Sequence, residues 1–427
     1  MKILFIVPGS GDSFYCGNCF RDNLQASALR SAGHDVIIMP LYLPLTHPSF
    51  QADTPLFFPA TTYYVAQRFF GKKMPAWVER ITGSKAMLSF ASSLSGTTSA
   101  EGMESMTLSM ITSEDPAFAK HIAPVLDWIK NTEKPDVIHL SSTLLIGIAK
   151  VLKHELPEMS IVCSLQDEEI WIDSLRESHA TLAWQGIANN TAYIDRFVTT
   201  SRFYQKIAQE RVPQMLDIDV VYPGIDVGKY ASEVYPEHPT IGFFYRMNHA
   251  NGLDILAEAF VSLKKKGSIP HLKLKIGGGC TGIDKRFLKR VKKCLSPFQA
   301  DVEINDRYDL DEHANFYASI SVIAVPIRFD ESVGLYLCES FAAGRPAVEP
   351  DTGSFSEIVG HAGLLYQPND STSLAIALER LLTDAEVYTR LKDEALSLSQ
   401  TRYNRHVTAE QLETIYRKAM ERPHARK

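Results

Sequence analysis

The sequence predicts an α/β chain built from two doubly wound halves, and three observations carry that prediction. The chain has 427 residues, too long for one ordinary core and suited to two domains of roughly 200 residues each. Short β-branched runs, among them Ile3–Val7, Asp35–Pro40, Thr240–Arg246 and Leu272–Ile276, alternate with longer stretches of helical periodicity, the pattern of βαβ units on a parallel sheet. Further runs at Asp136–Leu140, Ile161–Leu165 and Phe197–Thr200 end in polar residues, and in an open α/β sheet such carboxyl ends line the ligand crevice.

The first βαβ unit comprises strand Ile3–Val7, loop Pro8–Asn18, a helix from Cys19 to Ala32, and strand Asp35–Pro40. Gly9, Gly11 and Gly17 fall in its loop, where missing side chains let backbone approach a phosphate closely. Their spacing is not G-x-G-x-x-G and no acidic residue ends the second strand, so a dinucleotide fingerprint is weak. Cys16-Gly-Asn-Cys19 has no second Cys or His pair at ligand spacing and reads as a turn feeding the helix. From about residue 56 to 131 the alternation breaks into helical periodicity, read as a helical insertion bordering the cleft. Long insertions often act as lids. Within it Phe69, Phe70, Lys72, Lys73 and Trp77 suit either amphipathic packing or a membrane-surface patch, and packing is the better prior.

Strands resume at Asp136–Leu140, Ile161–Leu165 and Phe197–Thr200, ending in Ser141-Ser142, Gln166-Asp167-Glu168 and Ser201-Arg202. His139, inside an apolar strand, is expected to be a core residue. The second half opens with Thr240–Arg246, a strand ending in a cation, followed by a helix from Gly252 to Lys265 and the turn Gly277–Gly279.

The richest stretch is Glu331-Ser-Val-Gly-Leu-Tyr-Leu-Cys-Glu339, with seven residues between its carboxylates. Ser321–Pro326 before it reads as a buried strand. Gly334 and Leu335 open a helix that Gly344, as C′ residue, and Pro346 stop. A helix start binds phosphate through its orphan N–H groups and positive dipole end. Carboxylates on either side suit hydroxyl-rich groups, so a sugar, a diphosphate and a ribose make one fitting ligand, a nucleotide-sugar.

The block from Pro326 to Gln367 resembles the donor-binding region of retaining family-4 glycosyltransferases, the group that includes glycogen synthases and mannosyltransferases. It is carried by Pro326, Glu331, Gly334-Leu335, Glu339, Ala342-Ala343-Gly344-Arg345-Pro346 and Gly353-Ser-Phe-Ser-Glu357-Ile-Val359, with Val333 where phenylalanine is usual. Gly33-His34-Asp35-Val36 and Tyr222-Pro-Gly-Ile-Asp226 are similar to the family's first-unit ending and inter-domain linker. The resemblance implies the GT-B fold, two Rossmann-like domains facing a cleft. The expected domains are 1–222 on the acceptor side, 223–400 for the nucleotide-sugar, and 401–427 as a helix crossing back to the first.

The same resemblance implies roles. Arg246 matches the diphosphate-binding arginine, suited by its planar fork; the family's lysine position is Asn251 here, leaving Arg345 or a nearby Lys as a substitute cation. Glu331 would grip the transferred sugar and Glu339 the ribose. Gly9, Gly11, Gly334 and Leu335 would border the donor, and Asp306, Arg307 and Tyr308 the base. Asp167 and Ser141 are acceptor-side candidates; the family commonly has histidines where this chain has Ser141 and Gln166.

The activity implied is retaining transfer of a hexosyl group from a UDP- or GDP-linked sugar to a hydroxyl of a sugar, glycan or lipid-linked acceptor, without metal or cofactor. Alternatives are a non-catalytic nucleotide-sugar-binding scaffold and a GT-B epimerase or phosphorylase. A net charge of −6 with 22% charged residues argues against nucleic acid as partner. No apolar run approaches the ~20 residues that span a bilayer. Met1–Val7 runs into Pro8-Gly-Ser-Gly11 and reads as a strand, not a secretion signal, and the six scattered cysteines suit reduced thiols. The expected location is cytoplasmic, with peripheral contact at the inner membrane face as an option.

Overall fold

A computed structural model describes residues 1–8, 17–41, 103–165, 167–307, 309 and 312–421. They fall into two compact units: described residues within 1–11, 22–221 and 409–427 make the first, and those within 12–21 and 222–408 the second.

The first unit holds a six-stranded sheet of β1 (Lys2–Val7), β2 (Asp35–Pro40), β3 (Val137–Leu140), β4 (Ser160–Ser164), β5 (Arg196–Thr199) and β6 (Ile218–Val220), in the order β2-β1-β3-β4-β5-β6. Every pairing is parallel, so both faces need cover and the strands are near-continuous apolar runs. One face packs on Val7, Val36, Val137, Val162 and Val198 together with Leu412, Ile415, Tyr416 and Ala419 of the last helix, Arg405–Glu421. His139 belongs to this packing: fully buried, it bonds Tyr416 Oη through Nδ1 at 2.6 Å and Ser164 Oγ through Nε2 at 2.8 Å. Both ring nitrogens are occupied, so the histidine tethers the helix to the sheet, as a core residue should.

Of the helical insertion, residues 56–102, with Phe69 to Trp77, lie outside the described residues. The described remainder forms helices Glu104–Thr112 and Pro116–Trp128. Their Met110, Ile111, Phe118, Ile122 and Val125 sit in the core over the other sheet face. A Cβ on Gly147 would meet the Met110 carbonyl at 2.4 Å and one on Gly186 the Ile111 side chain at 2.8 Å, and Asn190 Nδ2 donates to the Ile111 carbonyl at 2.6 Å. This corrects the lid expectation for residues 103–128, which are structural.

The second unit holds β7 (Thr240–Phe244), β8 (Lys273–Gly277), β9 (Val302–Ile304), β10 (Val322–Ile323), β11 (Ala347–Pro350) and β12 (Gly363–Tyr366) in the order β12-β11-β10-β7-β8-β9. All pairings are again parallel. Its chain leaves β7 toward β9 in one direction and returns to β10 and β12 in the other. The strand order therefore reverses between β7 and β10, the point where open α/β sheets bind ligands.

β10 is shorter than the expected Ser321–Pro326 strand. Ala324 N–H still reaches the Gly242 carbonyl at 2.9 Å, but the Val325 N–H is taken by the Glu349 side chain at 3.3 Å, and Pro326 has no N–H to offer. Ladder pairing ends there for want of donors.

Candidate functional site

At the reversal point two loops lie against each other. After β7 the chain turns through Arg246–Gly252, and after β10 through Pro326–Gly334. Gly252, at φ +71°, is required twice over: its backbone is left-handed, and a Cβ there would sit 1.8 Å from the Pro326 carbonyl. Arg328 N–H donates to the Ala250 carbonyl at 2.8 Å, and its guanidinium makes a fork to Asp254 at 2.8 and 3.0 Å. The glycine of the Gly-Ser-Phe-Ser stretch acts in the same way. Gly353 (φ +55°) has room for no Cβ, which would meet Glu331 backbone at 2.7 Å, and Ser354 N–H holds the Glu331 carbonyl at 2.9 Å.

Glu331 thus stands on a braced loop and is 5% exposed. Its Oε1 accepts from Val333 and Gly334 N–H at 3.4 and 3.3 Å, and its Oε2 from Tyr245 Oη at 3.4 Å. Burial pushes its carboxyl above the ordinary range although these donors oppose it. Helix Leu335–Ala342 begins at Gly334, with φ +62°, and the N–H groups of its first residues, Leu335 and Tyr336, lack an intrahelical acceptor. At its far end Gly344 (φ +68°) is the C′ residue: Gly344 N–H bonds the Phe341 carbonyl and Arg345 N–H that of Ser340, both at 2.9 Å, a Schellman stop.

Arg246 Nε reaches Asp284 Oδ2 at 2.9 Å and Nη2 reaches Thr281 Oγ1 at 3.0 Å. Asp284 in turn holds Thr281 N–H and Oγ1 at 2.8 and 2.7 Å. The guanidinium is aimed and partly neutralised by a carboxylate that sequence reading missed, because Asp284 is 38 positions away. Asn251 does not supply a second cation. It is 3% exposed, and its Nδ2 donates to the Arg246 carbonyl at 2.8 Å. Arg345 does not replace it either, a second correction. Its buried guanidinium bonds the carbonyls of Tyr317, Ala318 and Val234 and covers the Tyr235 ring at 4.1 Å.

Glu339 lies on the same helix as Leu335 and is 1% exposed. Tyr230 Oη (2.8 Å) and His313 Nδ1 (3.3 Å) bond one carboxylate oxygen and Tyr317 Oη (2.7 Å) the other. Burial opposes its charge, but the adjacent His313 and these bonds prevail and hold its pKa below the ordinary value. For the expected contact with ribose, a ribose hydroxyl would have to displace one of these donors. Their signal was absent from the motif, since Tyr230 and the short helix His313–Ala318, which carries His313 and Tyr317, lie outside it.

Leu335 is buried at the start of its helix. Arg307 is exposed and, with Gly277, Gly278, Asn305, Glu312 and Asn315, lines a cavity of about 80 Å³ at the carboxyl ends of β8 and β9. Asp306 faces solvent near Lys292, at 3.5 Å. Tyr308, Gly9 and Gly11 lie outside the described residues. In the first unit Ser141 is fully buried, its N–H on the Ile6 carbonyl at 3.1 Å, so its hydroxyl is shielded from an acceptor. Asp167 follows β4 with φ +53°. It precedes Glu168, whose oxygens accept from Thr143 N–H at 3.0 Å and Tyr204 Oη at 2.8 Å. Among the described residues no group of three or more His, Cys, Asp and Glu could hold a metal, and no helix is long and apolar enough to cross a membrane.

Two Rossmann-like units, the second with an arginine, a carboxylate and a helix start at its switch point, define a protein of GT-B fold. Comparison with known proteins agrees. Residues 238–384 match the family described as glycosyl transferases group 1. The D-inositol 3-phosphate glycosyltransferase of Stackebrandtia nassauensis is 29% identical over 218 residues, 49% of this chain and 48% of that protein, so the match spans about half the length of that relative. Among solved structures, sucrose-phosphate synthase of Thermosynechococcus elongatus superposes with a TM-score of 0.67 at 16% identity, over 98% of this chain and 99% of its own. Anabaena HepE in complex with UDP and glucose gives 0.66 at 15% identity, over 97% and 99%.

Proposed function

We propose that this protein is a retaining glycosyltransferase that moves a hexosyl group from a UDP- or GDP-linked sugar to an acceptor hydroxyl. The observation that carries the reading is that the loop carrying Arg246 lies against the loop carrying Glu331 and the start of helix Leu335–Ala342 at the switch point of the second sheet, inside the segment that matches the group 1 glycosyltransferases. HepE, of like fold, is described with UDP and glucose bound, which supports a nucleotide-sugar as donor.

On this reading the diphosphate lies between the Leu335 and Tyr336 N–H groups and Arg246. Charge developing on the leaving diphosphate then meets fixed donors that need not reorganise, the usual largest electrostatic contribution to such a step. Arg246 turns from Asp284 toward the phosphate, and two oxygens suit its fork. Glu331 accepts hydroxyls of the transferred sugar. Glu339 takes a ribose hydroxyl by exchange for one of its tyrosines, and Gly9, Gly11, Arg307 and Tyr308 border the nucleotide. The acceptor hydroxyl, with Asp167 on its side, attacks on the face the diphosphate leaves. The diphosphate oxygen takes its proton, so the anomeric configuration is kept.

The test is incubation with UDP- and GDP-hexoses and with free-sugar, glycan and lipid-linked acceptors, reading nucleotide release and the product's anomeric configuration by proton NMR. An α-linked product from an α-linked donor is expected. An inverted product would overturn the mechanism, and binding without transfer or hydrolysis for every pair would put the scaffold reading in its place.

A further inference from the structure

Glu349 is a second carboxyl in this region that the reading above leaves without a task. It lies on β11, in the interior of the sheet, and is fully buried. Parallel register pairs Ile323 with Ala347, so Val325 falls opposite Glu349. Glu349 Oε1 accepts the Val325 N–H at 3.3 Å where a backbone carbonyl would otherwise continue the ladder. Its Oε2 accepts from Tyr336 Oη at 2.9 Å. The Tyr336 ring stands edge-on to Tyr245 at 5.5 Å between centroids, and Tyr245 Oη donates to Glu331 Oε2 at 3.4 Å. An unbroken column therefore runs Glu349, Tyr336, Tyr245, Glu331.

We infer that Glu349 is a positioning residue for Glu331, acting through Tyr336 and Tyr245 to hold the Glu331 carboxylate against the transferred sugar. The inference rests on the reading of Glu331 as the sugar-binding group. A buried carboxyl in a sheet interior is costly unless every bond it makes has a partner, and both oxygens here have one, each aimed at the loop or helix that carries the site. Burial keeps the Glu349 carboxyl well above the ordinary range, against the bonds from Tyr336 and Val325 and with a smaller contribution from the Glu331 charge. The other ionisable neighbour is Tyr366 on β12, whose buried hydroxyl finds no hydrogen-bond partner among the described residues and which feels both Glu349 and Arg328.

The experiment measures the sugar's share of binding. Calorimetry gives Kd for UDP and UDP-glucose, and for GDP and GDP-mannose, in wild type, Glu349→Gln, Glu349→Leu, Tyr336→Phe and Glu331→Gln. Glu349→Leu and Tyr336→Phe are expected to lower the ratio of diphosphate Kd to nucleotide-sugar Kd by about three- to tenfold, the scale of a lost buried hydrogen bond. The diphosphate Kd itself should stay within about twofold. Glu349→Gln, uncharged and still an acceptor, should keep the ratio. A wild-type ratio in Glu349→Leu, or a fall in Glu349→Gln as large as in Glu349→Leu, overturns the inference. If Glu349→Leu does not fold, Tyr336→Phe decides in the same way. If Glu331→Gln leaves the ratio unchanged, or no nucleotide-sugar binds, the reading of Glu331 has failed by itself. The linkage is then read by infrared difference spectroscopy: the carboxylic C=O band lost in Glu349→Gln must shift in Tyr245→Phe, and an unmoved band refutes the column.

Discussion

The Asn251 side-chain amide donates to the main-chain carbonyl of Arg246 at 2.8 Å. Asn251 N–H is itself held by Asn248 Oδ1 at 2.9 Å, so the residue standing where a second cation was expected closes the loop that presents the first. Asn251→Lys is therefore expected to lose a buried hydrogen bond and bury a cation. It should destabilise the protein by about 1–3 kcal/mol and leave turnover no higher than wild type. Denaturant unfolding and a transfer assay check this, and a stable variant with raised turnover would show that the site lacks a cation and nothing else.

Arg246 is the group whose partner changes on the proposed reaction path. Arg246→Ala should depress kcat by about 10²-fold or more with a smaller rise in KM, because the charge it meets grows in the transition state. Arg246→Lys should recover only part, since a point charge lacks the fork. Wild-type kcat in the alanine variant would remove Arg246 from the mechanism.

Glu339 offers a sharper test now that its surroundings are known. With Tyr230, Tyr317 and His313 converging on it, Glu339→Gln should cost about 1.5–3 kcal/mol of stability, the scale of a hydrogen bond to a buried charged group. It should also weaken nucleoside diphosphate binding about tenfold or more if ribose takes one of those bonds. Lost stability with unchanged affinity would leave Glu339 a purely structural carboxylate.

Glu349 makes stability depend on pH in the opposite sense to a salt-bridged acid. Its native carboxyl binds a proton more tightly than the unfolded one, so the native state carries more protons than the unfolded state above pH ~4.3, the ordinary glutamate value. Stability then falls as pH rises, by up to about 1.4 kcal/mol per unit, until the native value is passed. Glu349→Gln has no such slope, and its Tm should gain on wild type between pH 4 and 7. Parallel Tm curves would contradict a Glu349 carboxyl raised by burial.

A carboxylate lowered in the native state behaves in reverse. Glu339 stabilises the fold above the ordinary glutamate value, and that contribution is lost as pH falls through its native pKa. Acid unfolding of Glu339→Gln should accordingly show a shallower dependence on pH than wild type. An unchanged acid slope would mean that Glu339 does not ionise as its surroundings indicate.

Much of this molecule is legible from its local patterns. Period and β-branching found β1 to β5, β7 and β8 within a residue or two, because buried parallel strands are short apolar runs, but overran β10 and did not single out β6, β11 or β12. Gly344 was legible as a helix stop and Gly252 and Gly353 as part of a recurring pattern, because left-handed backbone or a close carbonyl admits only glycine. Arg246 and Glu331 followed from the same pattern. What surrounds them did not: Asp284 on Arg246, Asn251 on the Arg246 carbonyl, three donors on Glu339, and the tyrosine column from Glu349 join positions up to 109 residues apart. Sequence spacing reports which face of an element a side chain occupies. Which distant side chain meets it, and so whether a carboxylate is charged, protonated or already occupied, is settled only when strand order and packing bring the elements together.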